Sequence, residues 1–89
     1  MMKENHTMYL VLNVIRRSVD HIVVYRCLQR ISDGSYFVQS ADRVRLPVRS
    51  EDMNVLEKQF WELLLENEPD TRSEPAKTLE DAIHAFENY

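Results

Sequence analysis

Few of the 89 residues in this sequence are of types that carry out chemistry, and their spacing limits what they can do. Histidines stand at positions 6, 21 and 84, and the single cysteine is Cys27. A zinc site is usually announced by paired ligands, such as two histidines one helical turn apart or a Cys-x-x-Cys. Neither pairing occurs, so no metal site is expected. Cys27 is the one candidate thiol nucleophile. It would need His21 or His84 beside it as a base, a helix N-terminus nearby and an open cleft. Glu57, Glu62 and Glu66 share one segment, with Glu62 and Glu66 spaced i, i+4. Such a pair serves acid–base chemistry only where burial drives the two pKa values apart, and on an exposed helix it is a solvated face. The lone glycine excludes the Walker loop and the dinucleotide fingerprint, each of which needs at least two. The expectation is a chain with no enzymatic activity and no cofactor.

The elements that would position these residues follow from periodicity. Residues 8–17, 21–31 and 36–46 are rich in Val, Ile, Tyr, Phe and Leu and read as strands. Asp33-Gly34 suits a two-residue type I′ turn. That turn would set Ile31 opposite Tyr36, Gln29 opposite Val38 and Cys27 opposite Ser40. A weaker turn lies at Ser18-Val19-Asp20. From about residue 51 to 67 the period becomes helical, with Met53, Leu56, Phe60, Leu63 and Leu64 in one stripe and Ser50 as a candidate N-cap. A second helix over about 78–88 carries Leu79, Ala82, Ile83 and Phe86 on one face, with Thr78 and Asp81 as a shortened capping box. The fold class implied is α+β: a three-stranded antiparallel β-meander followed by two α-helices packed on one sheet face, in the order β-β-β-α-α. Residues 1–7 are expected to be a flexible N-terminus, and residues 8–89 a single small domain with its sheet over 8–46.

The hairpin register sorts side chains onto faces. One face would carry Val23, Tyr25, Cys27, Gln29, Ile31, Tyr36, Val38 and Val44, with Leu10, Leu12 and Val14 added from the first strand. This is the expected core, and Cys27 within it would be inert. The other face would carry Arg26, Arg30, Arg43 and Arg45 beside Val24, Leu28 and Phe37, with Val11 and Ile15. With both helices on the first face, some of this apolar surface stays wet or meets a partner. Trp61 and Leu65 lie off the main helical stripe and widen the apolar face further. Arg26, Arg30, Phe37, Arg43, Arg45, Trp61 and Leu65 are therefore the candidate interaction surface.

Composition narrows the function classes. The hydrophobic fraction of 44% and charged fraction of 29% are those of a folded soluble domain. Residues 1–50 hold eight basic and four acidic residues, a net of +4, whereas residues 51–89 hold three basic and eleven acidic, a net of −8. The bland account is mutual neutralisation of a basic sheet and an acidic helical half. One cysteine fits a reducing compartment, and the start of the chain lacks the pattern of a signal peptide, so a cytoplasmic protein is expected. The function expected is a small non-catalytic protein-binding or regulatory module, with a protein partner or a homodimer as its counterpart and no membrane contact. The alternatives are nucleic-acid binding, with the arginines on phosphates and Phe37 stacking on a base, or an acidic inhibitor of a nucleic-acid-binding protein. The net charge of −4 and the lack of a helix between the first two strands disfavour nucleic acid.

Overall fold

A computed structural model describes residues 7–47, 49–69 and 73–88, so the expected flexible terminus lies outside the described residues apart from Thr7. Three strands, β1 (Tyr9–Arg17), β2 (His21–Arg30) and β3 (Tyr36–Arg45), form one antiparallel sheet in the order β1-β2-β3. Helix α1 (Ser50–Glu66) and helix α2 (Leu79–Glu87) follow. The α+β class and the element order are those the sequence implies.

The first turn behaves as expected. Ser18 donates its N–H to the His21 carbonyl at 2.9 Å, leaving Val19 and Asp20 at the tip. The even loop length pairs Leu12 with Cys27 and Val14 with Tyr25.

The second hairpin differs in register. Arg30 donates its N–H to Ser35 at 2.8 Å, and Gly34 donates to Arg30 at 2.8 Å, so residues 31–34 form a four-residue loop. Gln29 therefore faces Tyr36 and Cys27 faces Val38, a slip of two residues from the two-residue turn. Asp33 stabilises the longer loop from within: its carboxylate accepts from the Ser35 N–H at 3.0 Å and from the Arg30 guanidinium at 3.1 and 2.8 Å. Gly34 takes the left-handed conformation, with φ of +73°. Ile31, expected in the core, is exposed in this loop. A slip of two keeps every side chain on its face, because the strand period is two.

The bulge that follows does not keep the faces. Arg26 pairs with Ser40 but Cys27 pairs with Val38, which leaves Gln39 as an extra residue on β3. One inserted residue reverses the alternation for the rest of the strand. Val44, expected beside Tyr25 and Cys27, instead pairs with Ile22 on the face of Val24 and Leu28. Arg43 and Arg45, expected beside Arg26 and Arg30, pair with Val23 and His21 on the opposite face.

The helices also depart from expectation, covering opposite faces of the sheet instead of sharing one. Helix α2 packs Leu79, Ala82, Ile83 and Phe86 on Tyr25, Cys27 and Val38, whereas α1 packs Phe60 and Leu64 on Leu28, Phe37 and Tyr9. With only three strands, one helix is wide enough to shelter the middle of each face. Both faces of β2 are consequently buried, and Val24, Tyr25, Arg26, Cys27 and Leu28 are all inaccessible in succession. Each large apolar side chain so buried contributes roughly 1.5–3 kcal/mol. At the start of α1 the N-cap position is Arg49, not Ser50, and no side chain caps it; Glu51 and Asp52 in the first turn suit the helix dipole. At α2 the expected cap is present, with Thr78 Oγ1 accepting from the Asp81 N–H at 3.0 Å.

The two sheet edges are treated differently. The N-terminal half of β3 is covered by residues 73–76: Tyr36 and Ala76 exchange backbone hydrogen bonds of 2.8 and 2.9 Å, and Ser73 Oγ accepts from the Val38 N–H at 3.1 Å. Among the described residues, no strand or bridge pairs with the outer edge of β1. No helix among them is long and apolar enough to cross a membrane.

Candidate interaction surface

The four arginines and Phe37 do not form the continuous face the sequence suggests. Phe37 is 0% exposed, sealed under Phe60 and set edge-on to Tyr9 with ring centres 6.3 Å apart, so it cannot stack on a base. Arg26 is 6% exposed; its Nη2 donates to Glu57 at 2.8 Å and its guanidinium lies 5.3 Å from the Phe60 ring centre. Arg30 is held by Asp33 and lies 5.0 Å over the Phe37 ring. Arg43 and Arg45 are exposed on the other side of the sheet, with Arg43 Nη2 3.5 Å from His21 Nδ1. A shallow hollow between the end of β3 and α1 is lined by Arg43, Val44, Arg45, Asp52, Val55 and Leu56, and Asp52 is itself held by Arg49 at 3.5 Å.

The basic sheet and the acidic helices neutralise each other at specific points. The Arg26 guanidinium, and after it the Trp61 indole, holds the Glu57 carboxyl below the usual glutamate range. On the other face, Arg16 makes a two-pronged contact with Glu87 at 2.9 and 3.1 Å and stacks 5.4 Å from the Tyr25 ring centre. The Tyr25 hydroxyl also donates to Glu87. Arg16, then Tyr25, lowers the Glu87 pKa, while burial, then the bond to Glu87, raises that of Tyr25. The bland reading of the charge division is in this respect what the geometry contains.

Trp61 and Leu65 are brought together. Glu57, Trp61 and Leu65 fall at i, i+4 and i+8 on one stripe of α1, and Trp61 Nε1 donates to Glu57 Oε1 at 3.1 Å. That bond fixes the indole, whose ring also meets Phe60 edge-on at 5.3 Å. Trp61 nevertheless stays 48% exposed and Leu65 84% exposed, and α2 lies on the far side of the sheet, where it cannot cover them. On the same side, β1 presents Val11 and Ile15, 45% and 58% exposed, as register partners of Leu28 and Val24. All four are exposed apolar side chains on the α1-covered side, two on the helix and two on β1, the strand with the uncovered edge. Sequence reading found Trp61 and Leu65 from their offset on the helix. It placed Val11 and Ile15 on the mixed face but missed the edge, whose signal is a stretch from Tyr9 to Ile15 with no proline and no charge.

The chemically reactive types stay apart. Burial pushes the Cys27 thiol up to about 11, and its Sγ donates to the Tyr25 carbonyl at 3.6 Å. His21 Nδ1 lies 2.8 Å from Asp20, and His84 is exposed near Asn88. Among the described residues, no three His, Cys, Asp or Glu side chains cluster in a way that could hold a metal. Glu62 and Glu66 are exposed, as a solvated face would be. In comparisons with known proteins, no family model, no curated protein and no solved structure matches this chain.

Proposed function

We propose that this chain is a small non-catalytic protein-interaction module that acts through the side of the sheet covered by α1. The observation that carries the reading is the concentration of exposed apolar residues there: Trp61 and Leu65 on α1, Val11 and Ile15 on β1. Tryptophan with a fixed indole is a frequent anchor of protein interfaces, because it loses little freedom on binding and buries a large area. A cytoplasmic setting belongs to this reading and is supported by the single cysteine, which sits reduced and buried. The dispersal of the arginines supports a protein partner over nucleic acid: a phosphate-tracking surface needs them exposed on one side, and two of the four are engaged by Glu57 and Asp33.

The test is affinity capture from the source cells' lysate, with nuclease-treated and untreated arms, using the wild-type chain and Leu65→Glu. The reading expects a protein retained by the wild type in both arms and lost from Leu65→Glu. Retention that vanishes with nuclease, or that ignores Leu65→Glu, overturns it.

A further inference from the structure

We infer that the partner for β1 is a second copy of this chain, joined antiparallel about Asn13 so that two three-stranded sheets become one of six strands. The inference rests on the reading of this side of the molecule as an interaction surface and names what occupies it.

The backbone sets the first condition. At one end of β1 Ser18 donates to His21, and at the other Met8 accepts from Ile31 at 3.0 Å. Peptide groups of successive strand residues point in opposite directions, so the even-numbered residues of β1 bond to β2. Tyr9, Val11, Asn13, Ile15 and Arg17 then aim their N–H and C=O groups away from the sheet. A two-fold axis through Asn13 sets Asn13 opposite its own copy, Val11 opposite Ile15, and Tyr9 opposite Arg17. Every outward-pointing residue thereby meets another outward-pointing residue, the condition for exchanging paired N–H···O bonds.

The side chains satisfy the same register. On the α1-covered side it places exposed Val11 against exposed Ile15 of the second copy, with an asparagine pair at the axis and Tyr9 against Arg17. On the other side it places Leu12 against Val14 and Leu10, itself 50% exposed, against the stem of Arg16. The only charges on β1, Arg16 and Arg17, meet no like charge across the join, and the Arg16 guanidinium is already neutralised by Glu87. A slip by two residues shortens the overlap and sets Asn13 against an apolar side chain. A C2 contact must be complementary to itself, and this nine-residue strand is.

The contrast between the edges points the same way. On β3 the strap at Ser73 and Ala76, the bulge at Gln39 and the charged Asp42, Arg43 and Arg45 all obstruct strand addition. These are the devices by which sheet proteins protect an edge, and β1 has no such device up to Arg16.

The experiment is sedimentation equilibrium of the purified full chain, combined with oxidation of cysteine substitutions along β1, the native Cys27 being buried. The Cα atoms of a hydrogen-bonded antiparallel pair lie about 5.5 Å apart, within the span of a disulfide. The expected result is a dimer, with Asn13→Cys cross-linking to itself. Val11→Cys and Ile15→Cys should each fail alone and cross-link when the two variants are mixed. Ile15→Lys, at an exposed position, should keep the wild-type circular dichroism spectrum and weaken association at least tenfold. Sedimentation at the mass of one chain, or a dimer in which Asn13→Cys stays reduced while another position cross-links, overturns the inference. A single chain that still retains a Leu65-dependent protein overturns this inference alone. A correctly cross-linked dimer with no Leu65-dependent capture overturns the broader reading alone.

Discussion

Val38 and Val44 are six residues apart on β3 and face opposite sides of the sheet, Val38 under α2 and Val44 on the side of α1. An even spacing in a regular strand puts both on one face. The extra residue, Gln39, breaks that rule. Because of it one strand contributes a buried valine to each of two layers, and Arg43 and Arg45 share the face of their partners Val23 and His21, opposite α1.

Deletion of Gln39 removes the extra residue and leaves the pairs in place: Val38 stays opposite Cys27, Ser40 follows it opposite Arg26, and Val44 stays opposite Ile22 on the side of α1. The deletion variant is expected to keep a cooperative thermal transition, measured by circular dichroism at about 222 nm. Loss of that transition contradicts Gln39 as the one residue without a place in the ladder.

Arg26 is a buried cation whose counter-charge, Glu57, lies on the rim. Glu57→Gln leaves the guanidinium buried without a full negative partner, whereas Arg26→Met removes the charge and keeps much of the volume. The expected order of stability in urea titration is wild type, then Arg26→Met, then Glu57→Gln. The double variant should be more stable than Glu57→Gln. An equal loss in the two single variants removes this account of the pair.

Glu87 joins Arg16 and the Tyr25 hydroxyl across the α2 face, and its pKa is lowered chiefly by Arg16. A carboxyl with a depressed folded-state pKa adds stability above its ordinary value, and that addition is lost as the pH falls through the folded value. The wild type should lose stability on acidification from neutral pH into the acid range more steeply than Glu87→Gln. The check is the urea midpoint measured over that range, where parallel curves for the two proteins contradict the assignment.

Cys27 should resist alkylation in the native state. Its thiol is fully buried and raised to about 11, so the reactive thiolate is scarce as well as shielded. A raised thiol pKa also means that stability is intact below the ordinary thiol value and falls as the pH climbs towards about 11. Iodoacetamide labelling should be slow in buffer and should follow the unfolding curve in urea. Rapid native labelling would falsify the core placement.

Phe60 closes the α1 layer on Leu28 and Phe37. Phe60→Ala is expected to cost about 3–5 kcal/mol, a large share of what an 89-residue chain has. Leu65→Ala, at an exposed position, should change the urea midpoint little and affect only association.

The elements were legible because their signals are local. Alternation in Val-, Ile- and Tyr-rich runs marks the strands, the stripe from Met53 to Leu64 marks α1, and Thr78 with Asp81 marks the start of α2. The faces were harder to read, since a two-residue slip at Asp33-Gly34 is harmless but a one-residue bulge at Gln39 inverts half a strand, and glutamine carries no bulge signature. Which face each helix takes depends on the connection after Arg45 and on layer width, neither of which leaves a periodic trace. Of the candidate surface, Trp61 and Leu65 stood out because their position on the helix is local information. Arg26, Arg30 and Phe37 were misjudged because the partners that cover them, Glu57, Asp33 and Phe60, meet them through tertiary contacts or through the longer loop.

The unequal treatment of the two sheet edges sets a valence. A sheet with two open borders can be extended without limit and tends towards fibres. Here Ser73 and Ala76 cover one border at Tyr36 and Val38, and the rest of that strand carries Asp42, Arg43 and Arg45; among the described residues the border at β1 has neither a strap nor a charge before Arg16. The inferred pairing through β1 would therefore be self-limiting: it would end with the first partner acquired, at a fixed stoichiometry and without polymerisation.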